Sequence, residues 1–227
     1  MAFPYYVSPE QMMQDKAEYA QKGIAKGRSI IVLEYQDGIF LFADNPSSSL
    51  NKISEIYDRI AFAGAGKYSE FESLRKAGIR HADIKGFSYS REDVTAKSLA
   101  NAYSQTLGTK FSQEIKPLEV EILVAEVHDD PQTNEIYRIL YDGSISDEKG
   151  YTVIGGRADA AKIFLKERYG SNMPIKDALK LSVEALETTV NMQMAISNME
   201  VAVLDRSRNG RKFRRIRGGE LEALCNA

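Results

Sequence analysis

"AKGRSIIVLEYQDGIFLFADN", residues 25–45, holds two apolar runs separated by a polar turn. Ser29 to Tyr35 contains Ile30, Ile31, Val32 and Leu33, and Ile39 to Ala43 contains Phe40, Leu41 and Phe42. Short runs rich in β-branched and aromatic residues are the signature of buried strands. Asp37-Gly38 between them suits a hairpin turn, because both residues tolerate positive φ. The reading is therefore a β-hairpin buried on both faces. Twenty-seven residues precede Arg28, where the hairpin begins. Arginine has neither hydroxyl nor thiol and stays charged, so it cannot serve as a nucleophile at a strand head.

Outward from this hairpin, the pattern alternates between groups of strands and groups of helices. Ser8-Pro9 fits a helix start, with serine as cap and proline in the first turn. Met13, Ala17, Ala20 and Ile24 then share one helical face, and Gly23 and Gly27 mark the end. Strands are expected at 53–57 and 60–65, helices at about 67–81 and 93–111, and strands at 119–127, 135–141 and 151–154. A turn is expected at Asp142-Gly143. Gly155-Gly156 leads into a helix carrying Ala161, Phe164, Leu165 and Tyr169, and Pro174 opens another. Strands "MEVAVLD" and "RKFRRI" and a short helix at 220–224 close the chain. Such an order argues for an α+β fold of antiparallel sheets with helices outside. No Pro/Gly/Ser-rich linker divides the 227 residues, which read as one domain.

Composition narrows the chemistry. A net charge of −2 gives no overall attraction to nucleic acid or an anionic membrane. The sole cysteine, Cys225, excludes an intrachain disulfide, in keeping with a reducing compartment. No signal-peptide pattern and no transmembrane run is present, so a soluble cytoplasmic protein is expected. His81, read as lying at a helix end, and His128, in a polar turn, have no metal-ligand spacing. Gly155-Gly156 lacks the further residues of a phosphate-binding loop and reads as a tight strand-to-helix turn. The basic run from Arg206 to Arg217 reads as a charged sheet edge rather than a nucleic-acid surface. Lys52, at the start of a strand, is either a surface charge or the receiver of a carboxylate. Phe3, Tyr5 and Tyr6 crowd an N-terminus without helical period, unusual for a solvated tail.

Taken together, "SPE…AEYAQKGIAKG", "ADNP", "NKISEIYDRIAFAGAGK", "YDGSISDEKGYTVIGG", "LKERYG" and "MEVAVLDRSRNGRKFRRI" resemble the α-type subunits of the 20S proteasome, in their actinobacterial form. The resemblance spans about residues 3–218. It implies the N-terminal-nucleophile hydrolase fold, a four-layer αββα sandwich, here over about 28–218, with an extra helix at about 9–22 and a tail at 219–227. In catalytic β-type subunits a threonine heads the first strand; the alignment puts Arg28 at that position, so no catalytic residue is expected. Lys52 falls on the position of the β-type catalytic lysine. In α subunits that lysine, with Glu18 and Gly66, is expected to line a pocket for the C-terminal carboxylate of a ring-shaped ATPase activator.

The resemblance further implies heptameric rings of the chain with itself, stacked on β-subunit rings, with unfolded or tagged proteins as substrates and no cofactor, metal, nucleic acid or membrane. Residues 1–8, with Phe3, Pro4, Tyr5 and Tyr6, would form the gate. Departures exist: Gln11 replaces a glycine, Tyr19 follows Pro9 by ten residues rather than nine, and Gln113-Glu114 replaces a pore-narrowing glycine pair. The alternative is an amidohydrolase of the same fold, processed before Ser29 to expose it as nucleophile.

Overall fold

Alternation explains why the opening hairpin is buried on both sides. In strands β1 (Ile30–Tyr35) and β2 (Gly38–Asp44), Ile30, Val32, Ile39 and Leu41 point one way and Ile31, Leu33, Phe40 and Phe42 the other. The first set meets a second sheet and the second set meets helices, so neither face reaches water. The computed structural model describes residues 8–226; Phe3, Pro4, Tyr5 and Tyr6 lie outside them.

Two five-stranded antiparallel sheets result. The first has the order β10-β9-β2-β1-β8, adding β8 (Tyr151–Ile154), β9 (Met199–Asp205) and β10 (Phe213–Ile216). The second runs β3-β4-β5-β6-β7, formed by β3 (Ile53–Tyr57), β4 (Ile60–Gly66), β5 (Val120–Glu126), β6 (Glu135–Ile139) and β7 (Ile145–Glu148). Ala63, Leu123, Ala125, Ile154, Ala202 and Leu204 join the inward hairpin residues in a dry layer between the sheets. Helices α2 (Tyr68–Ser88) and α3 (Ala96–Gln113) cover the second sheet through Phe71, Leu74, Leu99, Tyr103 and Leu107. Helices α4 (Ala158–Arg168), α5 (Ile175–Val190) and α6 (Gly219–Asn226) cover the first through Ala161, Leu165, Leu179, Leu186 and Leu221. The α+β sandwich expected from the sequence is therefore the architecture found.

Helix α1 (Pro9–Ala25) begins as expected, with the Ser8 hydroxyl accepting from the Gln11 N–H at 3.2 Å. It runs three residues beyond 22, includes Gly23, and packs at the sandwich end through Ala20, Ile24, Tyr141 and Phe111. Met13, assigned to its buried face, is 40 % exposed; Lys16 is buried instead and donates to the Phe111 carbonyl at 3.0 Å.

Other expectations need correction. The hairpin loop is Gln36-Asp37, and Gly38 is the residue with positive φ, pairing with Tyr35. A Cβ there would collide with the Leu204 carbonyl, so glycine is required by β9 as well as by the turn. Helix α2 continues seven residues past His81, which lies mid-helix and exposed. The chain also forms β7, absent from the sequence reading because its residues are polar and mostly exposed.

At the strand-to-helix turn, a Cβ on Gly156 would lie 2.5 Å from the carbonyl oxygens of both Ala25 and Gly27. Those atoms belong to backbone and cannot swing aside. Gly156→Ala is expected to destabilise the fold by about 1–3 kcal/mol through overpacking, read as a lowered denaturant midpoint; an unchanged midpoint would show that this corner yields.

Candidate functional site

Three chain segments meet where α1 hands over to β1. The Gly27 N–H donates to Ile24 O at 2.8 Å, closing the helix, and Gly27 O accepts from the Gly156 N–H at 2.9 Å. A Cβ on Gly27 would lie 2.9 Å from the Gly66 nitrogen, so the end of β4 presses on the same point. Gly66 itself has φ of 102°.

Arg28 leaves this junction toward solvent. Its Nη1 donates to both carboxylate oxygens of Asp44, at 2.8 and 2.7 Å, with the arginine side chain 50 % exposed and the aspartate 15 %. Its carbonyl accepts from Lys52 Nζ at 2.9 Å. Ser29 is buried, and its hydroxyl donates to the Gly156 carbonyl. A cavity of about 230 Å³ opens beside them, lined by Arg28, Asp44, Arg157, Leu186, Thr189 and Met194.

Lys52 is half-buried, and burial pulls its ammonium down from 10.5 to about 8. Asp44 and Glu200 oppose that shift, and Arg28 adds to it. Its backbone is fixed by Glu200, which reaches across from β9. Glu200 Oε2 accepts from Lys52 N at 2.9 Å and from Asn45 Nδ2 at 2.7 Å, while Oε1 accepts from Ile53 N at 3.1 Å and Arg215 Nη1 at 2.8 Å. Four donors on one carboxylate satisfy a group with little access to water.

Of the residues grouped by sequence, the chain brings Lys52, Arg28 and Gly66 to one corner. Glu18 makes no hydrogen bond to these residues: it lies on the exposed face of α1 and pairs with Lys22 at 3.3 Å. Tyr19 is 47 % exposed, its hydroxyl 3.4 Å from Glu119 and its ring 5.7 Å from Lys116 Nζ. Gln113 ends α3 and Glu114 pairs with Lys110 at 2.8 Å. They border an open groove with Met12, Tyr19 and Ile115. Glu200 and Asp44 carry the geometry but were not singled out. An acid second in "MEVAVLD", directly before the apolar run 201–204, is the available signal.

His128 does have acidic company: its ligand nitrogen and the carboxylates of Glu126 and Glu135 all lie within 4.8 Å of one another. Glu126 is fully buried, and its Oε2 accepts from the Ala96 N–H at 2.6 Å, at the start of α3. Its Oε1 has no aligned hydrogen bond, yet Arg59 Nε stands 2.6 Å away. The guanidinium thus already supplies the positive charge this cluster needs. Three basic residues of the segment are paired with acids, in Arg211–Glu55, Arg214–Glu220 and Arg215–Glu200, and β10 is a sheet edge as expected.

The two-sheet sandwich flanked by helices has counterparts among known proteins. The family model described as "Proteasome subunit" matches residues 24–204, and this chain belongs to that family. Its relatives include the "Proteasome subunit alpha" of Kineococcus radiotolerans, 53 % identical over 99 % of this chain and 98 % of the relative. That of Thermobifida fusca is 54 % identical over 99 % and 91 %, and that of Streptomyces coelicolor 53 % over 100 % and 91 %. The resemblance to actinobacterial α-type subunits read from the sequence is thereby upheld.

Glu200→Gln tests the clamp. An amide places a donor against one of the four donors, costing about 1–3 kcal/mol, and removes a charge that favours the Lys52 ammonium. Lys52, followed by NMR after reductive ¹³C-methylation, should titrate near 8 in the parent and lower in the variant. Because the unfolded chain holds this proton between about 8 and 10.5, the group's contribution to stability rises with pH across that window. A midpoint unmoved by the substitution would contradict the assigned geometry.

Proposed function

We propose that this chain is a non-catalytic subunit of a proteasome core particle, forming heptameric outer rings on the β-subunit rings. It gates substrate access with its N-terminal residues and docks a ring-shaped ATPase at Lys52. One observation carries the reading: the head of β1 is occupied by Arg28, a guanidinium tied to Asp44, with the lysine resting on its carbonyl. A threonine there would use its hydroxyl as nucleophile and its own amine as base; arginine offers neither a hydroxyl nor, mid-chain, a free amine.

The competing reading, with Ser29 exposed by cleavage, finds less support. Ser29 is buried and its hydroxyl is spent on Gly156. Cleavage before it would also detach α1, whose end is bonded into the same corner. In this reading the chain is one domain, with 1–8 as gate and about 9–22, in a helix that continues to Ala25, on the ring's outer face. Lys52 suits a flexible terminal carboxylate, being a point charge that demands no bidentate geometry. Glu18 and Gly66 join the pocket in this reading, Glu18 from the exposed face of α1.

The test is an assembled core particle whose α subunits lack residues 2–8. Hydrolysis of short peptides should rise several-fold over the full-length particle, with the α subunits otherwise of intact mass. An unchanged rate removes the gate from the proposal, and α subunits trimmed to Ser29 remove the non-catalytic assignment.

A further inference from the structure

Arg28 is held by one nitrogen only. Both of its contacts with Asp44 use Nη1, and among the described residues its Nε and Nη2 make no hydrogen bond. Those two nitrogens are the edge of the guanidinium that matches a carboxylate in a bidentate fork. The side chain is 50 % exposed. It stands close enough to Lys52 for its charge to disfavour the lysine ammonium. Lys52 Nζ in turn uses one donor on the Arg28 carbonyl, leaving two N–H groups for an incoming acceptor.

We infer that Arg28 is a second carboxylate-binding residue, its free Nε–Nη2 edge taking a docked chain-terminal carboxylate together with Lys52 while Asp44 anchors Nη1. The inference rests on the reading of Lys52 as the docking lysine, and adds a geometric demand to it. A single ammonium accepts a carboxylate from any direction, whereas a tethered guanidinium fixes its plane. Asp44 is then a positioning residue: it orients the fork and offsets part of the positive charge gathered in the corner. The residue that stands where relatives keep a nucleophile acquires a recognition role.

The experiment uses the assembled core particle and the C-terminal decapeptide of the organism's own ring ATPase. The peptide carries fluorescein at its N-terminus and is prepared as free acid and as amide. Affinities are read by anisotropy at pH 6.5, where Lys52 is protonated, for the parent, Lys52→Gln, Arg28→Gln, Arg28→Lys and the double variant Arg28→Gln/Asp44→Asn, each confirmed as an intact particle. Arg28→Gln is expected to weaken the free acid roughly tenfold or more and to leave the amide alone, with Arg28→Lys recovering part of the loss. The double variant separates direct contact from mere masking of Asp44: continued weak binding supports the fork, and restored affinity overturns it. Parent-like affinity in Arg28→Gln beside a large loss in Lys52→Gln overturns the inference and leaves the docking lysine standing. No loss in Lys52→Gln, with acid and amide bound equally, removes both.

Discussion

The Glu200 carboxylate is the constraint on which the corner depends. It originates in one sheet and takes two backbone N–H groups at the start of the other, so the relative position of the two sheets is written into these two hydrogen bonds, while Asn45 and Arg215 hold the carboxylate from its own sheet. Two more acids repeat the device at other margins. Glu121 of β5 accepts from Gly155 N beyond β8 at 3.1 Å, and Glu34 of β1 accepts from Asn134 Nδ2 before β6 at 3.0 Å. The dry layer between the sheets is non-directional and would tolerate sliding. Carboxylates with full sets of donors do not, because any shift strands a buried charge. Packing holds the sheets together; these acids hold them in place.

Position matters because the corner is assembled from distant sequence. Arg28, Asp44, Lys52, Gly66, Gly156 and Glu200 come from six separate stretches, and no two elements alone define it. Fixing the backbone of Lys52 and Ile53 from β9 aims the lysine at the Arg28 carbonyl, and the helix end at Gly27 fixes that carbonyl. In catalytic relatives of this fold, the resemblance assigns the same spot to a nucleophile. Here the scaffold that would orient a reacting group orients a guanidinium and an ammonium instead.

Sequence alone disclosed most of the architecture, for physical reasons that can be named. β1, β2, β4 and β5 are nearly continuous apolar runs because both faces are covered, and such runs are conspicuous. β7 escaped because Ile145-Ser146-Asp147-Glu148 is an exposed edge whose only demand is backbone pairing with β6. α2 was read too short because its later turns bury only small residues, Gly78 and Ala82, which leave little apolar period. Met13 misled for the opposite reason: a helical stripe can be apolar and still find nothing on this chain to cover it. Lys52 and Arg28 were legible through the family resemblance. Asp44 and Glu200 were not, since what distinguishes them is a partner 16 and about 150 residues away.

The strands at the sheet margins carry a last consequence. β7, β8 and β10 have four residues each, and β3 has five with a register shift between Glu55 and Tyr57. Charged side chains line two of them, Asp147 and Glu148 on β7 and Arg214 and Arg215 on β10. Short, charged and irregular margins are poor templates for strand addition. In the proposed ring, a neighbouring copy would find little ladder to extend there and would be held chiefly by side chains on helices and loops.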